Sequence, residues 1–208
     1  MVLFEACVDS LDRARAAFTA GAGRLELCSH LEVDGLTPDP SLLRTVLAES
    51  RIPVFVMIRL RGGAFTASEA ELLVMESQID LALRLEAHGV VMGVLREDGR
   101  IDVPAMRRLI ECAKPLPVTF HRAFDRIKDK FSALETLVEL GASRILTSGG
   151  APSAWEGREM IRGLVEQSRG RVEIVAGGKV RADHWRDLVR TTGVREIHGS
   201  VPIDVREK

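Results

Sequence analysis

The sequence predicts one compact (β/α)8 barrel of the TIM type over residues 1–208, on three observations. Eight short, apolar, β-rich runs alternate with longer amphipathic stretches, and their starts recur roughly every 20 to 40 residues, enough for a strand, a helix and two loops. That rhythm requires crossover connections, and hence parallel strands. The joints leading into strands repeat: Gly21-Ala22-Gly23-Arg24-Leu25 is echoed by Gly141-Ala142-Ser143-Arg144-Ile145 and, more loosely, by Gly193-Val194-Arg195-Glu196-Ile197. In each, a glycine able to take the left-handed conformation ends a helix and the chain turns into a strand. Finally, Val8-Asp9-Ser10 after the first run lacks the glycine fingerprint of an open doubly wound sheet, which favours closure.

Taken in order, the expected strands are Leu3–Cys7, Arg24–Cys28, Val54–Arg59, Val90–Leu95, Val118–Arg122, Arg144–Ser148, Val172–Ala176 and Glu196–Ser200. The second, sixth and eighth follow the glycine joints. The third and fifth follow Ile52-Pro53 and Leu116-Pro117, where proline stops the preceding helix from continuing.

The outer face of a barrel strand packs under helices, so charged residues within a strand are expected to point inward. Phe4, Ala6 and Val8 then face the helices while Glu5 and Cys7 face in; Leu25 and Leu27 go out, Glu26 and Cys28 in. The same rule turns Phe55, Met57, Arg59, Thr119, His121, Ser148, Glu173, Glu196 and His198 inward. Several buried carboxylates are costly unless paired, and Arg59, Arg61 and Arg122 are the expected partners. A plain ion-pair network filling the barrel is one reading of each glutamate. Collectively, however, Cys7, Cys28, Arg59, His121, Ser148 and His198 fall at the last inward positions of their strands, where barrels place their sites.

Lys and Arg number 29 against 30 Asp and Glu, so a net charge of -1 offers no field for nucleic acid or an anionic membrane. No apolar run reaches the roughly 20 residues of a membrane span. The start "MVLFEACVDS" lacks a basic region followed by an apolar leader, and three cysteines are too few and odd for a disulfide framework. The expectation is a cytoplasmic protein with free thiols.

Several segments together resemble one family. "EACVDS" at Glu5–Ser10, "RLELCS" at Arg24–Ser29, "GLTP" at Gly35–Pro38, "PVFVMIRLRGG" at Pro53–Gly63, "PLPVTFHRAFD" at Pro115–Asp125, "LTSG" at Leu146–Gly149 and "AGG" at Ala176–Gly178 are similar, in the same order, to the CutC copper homeostasis family. Ala64, Leu60 and Lys179 depart from the family pattern, as does the "HGSV" ending at His198–Val201. The resemblance implies a cytoplasmic barrel that self-associates, as a dimer or tetramer, and binds copper as Cu(I) through the cysteines corresponding to Cys7 and Cys28. Thiolates are the soft donors Cu(I) prefers, and neighbouring strands run about 4.8 Å apart.

A second reading is an enzyme acting on a small anionic or phosphorylated substrate. Gly177 and Gly178 follow the seventh strand and Gly199 and Ser200 the eighth, where barrels often bind phosphate through backbone N–H groups, with Arg61 adding charge. His121 and His198 would act as acid and base, with Glu5, Glu26 and Arg59 as further catalytic candidates. Both readings stand at this point.

Overall fold

The computed structural model describes residues 2–200; Met1 and positions 201–208, with Val201 of the expected "HGSV" ending, lie outside the described residues. Eight strands run parallel: β1 (Leu3–Val8), β2 (Arg24–Leu27), β3 (Val54–Met57), β4 (Gly89–Met92), β5 (Val118–Phe120), β6 (Arg144–Thr147), β7 (Glu173–Ala176) and β8 (Glu196–Gly199). Each lies beside the next, and β8 closes on β1, so the sheet is a barrel with no free edge. The closing register sets Glu5 opposite both Arg24 and His198.

Seven helices cover the outside among the described residues: α1 (Leu11–Thr19), α2 (Pro40–Glu49), α3 (Glu69–Arg84), α4 (Val103–Ala113), α5 (Lys130–Leu140), α6 (Arg158–Ser168) and α7 (Trp185–Thr192). Their starts are chemically marked. Ser10, Asp39, Ser68, Asp102 and Asp129 each accept a backbone N–H from the first turn of the following helix, satisfying a donor that the helix leaves open. The expected joints are present, with Gly141 and Gly193 ending α5 and α7 at φ of +85° and +74°. No helix among the described residues is long and apolar enough to cross a membrane.

Two cores result. Phe4, Leu25, Val56, Phe120, Ile145 and Ile197 fill the layer between sheet and helices. Inside the barrel, Cys7, Cys28, Phe55, Met57 and Val91 form a smaller apolar cluster. The strands end earlier than expected at β3, β4 and β5: the Ile58 and His121 N–H groups still bond β4 carbonyls, but the N–H groups of Arg59 and Leu95 go to the loop residues Thr37 and Phe65. His121, for example, follows β5 and caps a short 3-10 turn, Arg122–Arg126, by accepting the N–H of Ala123.

The buried carboxylates find different partners from those expected. Arg24, almost fully buried, donates to both Glu5 and Glu196, and Arg144 donates to Glu196 at 3.2 Å. Both guanidiniums lie 5.0 Å from the centre of the Phe55 ring, which belongs to the same apolar cluster as the two thiols. Arg59, Arg61 and Arg122 reach none of these carboxylates. Glu173 takes the expected strand parity but sits at the opposite rim, paired with exposed Arg195.

Candidate functional site

The site is built on β1, β2 and β8. Cys7 lies opposite Glu26 in the β1–β2 ladder, and Cys28 follows Leu27 with its N–H bonded to the Val8 carbonyl at 3.0 Å. The two cysteines therefore start at different heights, yet their sulfurs come within 3.5 Å of each other. Cys28 is completely buried, and its thiol also reaches the Val8 carbonyl at 3.6 Å. Cys7 forms part of the cavity wall. The hydrogen bond to Cys28 and burial push the Cys7 thiol well above its ordinary range. Cys112 lies apart, on α4, beside the Glu76 carbonyl.

Next to the thiols lies a chain of ionisable groups. The His198 Nδ1 is 2.9 Å from Glu5 Oε1, and its Nε2 is 3.6 Å from Glu26 Oε2. Burial would raise the Glu5 pKa, but the His198 hydrogen bond and the Arg24 charge overcome it and hold the carboxyl at about 2. Glu26 has no such guanidinium contact; burial pushes its pKa up, and its Oε1 has no partner among the described residues. For His198, burial works against the charged form, while the carboxylates of Glu26 and Glu5 more than compensate and raise its pKa. An imidazole held between two carboxyls can pass or retain a proton, or offer Nε2 to an electrophile.

Above this floor opens a cavity of about 600 Å³ at the C-terminal mouth. Arg13, Arg122, Arg126 and Lys179 bring positive charge to its wall, against Asp34 and Asp125. Asp125 organises one side: its carboxylate accepts from Arg122 Nε at 2.9 Å, Ser148 Oγ at 3.0 Å, Thr147 Oγ1 at 2.5 Å and the N–H groups of Ser148 and Gly150. Sequence reasoning missed this residue as a functional group, although it closes the "PLPVTFHRAFD" segment. The expected inward Ser148 is there, fastened by Asp125.

The other expected site residues are placed unequally. Glu26, His121, His198, Gly178, Gly199 and Ser200 line the cavity, and Glu5 stands behind His198. Burial and the Arg59 charge hold the His121 pKa down at about 3, so the ring is neutral. Arg59 turns aside, donating to the carbonyls of Val33 and Gly35 and stacking 4.6 Å from the Phe65 ring, so it ties loops together. Arg61 bonds Glu71 at 2.6 Å and the Thr66 carbonyl, outside the cavity wall. The Gly177 N–H is used within the sheet, bonding the Thr147 carbonyl at 2.9 Å, and is not available to an anion.

The CutC family model matches residues 2–203 of the chain. A Mus musculus protein named copper homeostasis protein cutC homolog is 46% identical over 198 residues, covering 95% of this chain and 73% of that protein. A Histophilus somni (strain 2336) protein named a family protein CutC is 45% identical over 194 residues, covering 93% of this chain and 80% of its own length. The crystal structure of a Streptococcus agalactiae protein, named there as a copper homeostasis protein CutC, superposes with a TM-score of 0.91 at 37% identity, covering 96% of this chain and 99% of that one.

Proposed function

The chain belongs to the CutC family, and from that premise we propose that it is a cytoplasmic copper homeostasis protein that binds Cu(I) between Cys7 and Cys28. One observation carries this reading: two free thiols from adjacent strands lie 3.5 Å apart, with Cys7 open to the mouth cavity. Cu(I) is soft and favours thiolate, so a pair of sulfurs suits it better than the hard oxygens at the rim. Binding must displace thiol protons, and the raised Cys7 pKa makes the apparent affinity fall as pH falls.

Anaerobic titration against a competing Cu(I) chelator tests it. About one ion per chain is expected, with strong loss in Cys7→Ser and in Cys28→Ser and little change in Cys112→Ser. Wild-type affinity in all three variants would remove the copper reading for this chain.

A second reading, an enzyme taking a small anionic substrate, is supported by the cavity of about 600 Å³ and its four wall cations. Gly178, Gly199 and Ser200 belong to this reading as backbone donors, and His198 with Glu26 and Glu5 as the acid–base group. Inorganic phosphate is then expected to stabilise the protein by about 1.4 kcal/mol at ten times its Kd, a shift of several degrees in melting temperature. The double variant Arg126→Gln/Lys179→Gly should lose that shift, because it removes two exposed charges and leaves the floor of the site untouched. Equal protection in variant and wild type would count against an anion at the rim.

A further inference from the structure

We propose a second metal site on the floor of the cavity, in which the Cys7 thiolate, a Glu26 carboxylate oxygen and His198 Nε2 bind one divalent ion of the zinc class. The three donor atoms lie within 4.8 Å of one another. Tetrahedral Zn(II) bonds of about 2.0–2.3 Å put donor atoms roughly 3.3–3.8 Å apart, and the Glu26–His198 separation of 3.6 Å already falls in that range.

Three features distinguish this cluster from an ordinary buried ion pair. Glu5 holds His198 through Nδ1, which fixes the ring and leaves Nε2 facing Glu26; an outer carboxylate on a ligating imidazole is the recurrent support of zinc–histidine bonds. Arg24 in turn holds Glu5, so the ring's orientation is anchored in the buried polar layer. Glu26, only 2% exposed, leaves Oε1 without a partner in the described residues, an acceptor awaiting a proton or a cation.

One sulfur, one nitrogen and one oxygen form a mixed set suited to a borderline-soft divalent ion rather than to Cu(I) or Mg(II). All three residues line the cavity, so a fourth coordination position faces the open space. Closed structural zinc sites lack that feature, whereas zinc sites that act on a substrate keep three protein ligands and an open position for water or a substrate oxygen. Cys28 does not line the cavity and is not one of the three donors. The site therefore does not depend on the thiol pair, although the shared Cys7 allows only one of the two ions at a time.

The test is Zn(II) titration of the metal-free full chain under anaerobic conditions against a competing chelator, with Co(II) as a spectroscopic substitute. About one Zn(II) per chain is expected. His198→Gln and Glu26→Gln should each weaken it by about tenfold or more, and Glu5→Gln, which removes no ligand but loosens the His198 ring, by a smaller factor. Cys28→Ser should stay within about threefold of wild type. The Co(II) protein should show a thiolate charge-transfer band that persists in Cys28→Ser and vanishes in Cys7→Ser, which decides the ligand set even if a floor variant fails to fold. Equal loss in Cys28→Ser and Cys7→Ser, undiminished binding in His198→Gln and Glu26→Gln, or no stoichiometric Zn(II) binding would each overturn the site. Cu(I) binding that fails in Cys28→Ser while Zn(II) binding persists would separate this site from the copper reading.

Discussion

Arg24→Leu is expected to lower the unfolding free energy by about 3–5 kcal/mol, the range seen when one partner of a buried ion pair is removed. The reason is what remains behind. Glu5 has no exposed surface and Glu196 very little, and Arg24 is the guanidinium that both share. Arg144 still reaches Glu196 at 3.2 Å, but Glu5 would keep only His198 as a partner. For a chain of this size the loss corresponds to a melting temperature lower by roughly 6–20 °C. Adding Glu5→Gln should recover part of it, because a neutral amide is far cheaper to bury unpaired than a carboxylate. Urea unfolding of the single and double variants measures both effects. A single variant as stable as wild type would mean that the interior glutamates do not rely on Arg24.

The arrangement of this interior was only partly legible in the sequence. Alternation placed Glu5, Glu26 and Cys28 inside, because a charged side chain on the other face would lie in the apolar layer between sheet and helices. The same alternation applies to Arg24 and Arg144, at the first positions of β2 and β6. In the sequence they belong to the helix-to-strand joints, and nothing local shows that such long side chains run into the barrel. Arg59 misled for the opposite reason: it lies two residues beyond the end of β3, where loop carbonyls, not the pleat, decide where the side chain goes. Asp125 was invisible as an organiser, since all its partners but the nearby Arg122 come from the end of β6 and the loop after it, more than twenty residues on. The approach of the two sulfurs was likewise beyond pattern reading. Register sets Cys7 opposite Glu26, and only the lean of the side chains brings Cys7 and Cys28 together.

Acidification should expose the other consequence of this interior, through His121. Its Nδ1 accepts the Ala123 N–H, so the neutral ring carries its proton on the buried Nε2, and a second proton would have to go to Nδ1, giving up that bond beside the Arg59 charge. The folded pKa of about 3 lies below the ordinary histidine value of 6.5. A depressed folded pKa means that the unfolded chain binds the proton first. Stability is therefore intact above pH 6.5 and is lost as pH falls towards 3, by about 1.4 kcal/mol per unit once the unfolded ring is protonated. Between pH 6.5 and 5 this amounts to roughly 2 kcal/mol. Other buried groups act in different windows or with opposite sign. Glu5, held at about 2, loses its contribution only below about 4.5, whereas the raised pKa of His198 stabilises the fold on the acid side. The contribution of His121 is isolated by difference with His121→Asn, whose short amide can still accept the Ala123 N–H but does not titrate. Urea unfolding at pH 6.5 and at pH 5 should show wild type losing roughly 2 kcal/mol more than the variant. Parallel pH profiles would mean that His121 accepts a proton in the folded barrel, and that its ring is not the neutral wall group described here.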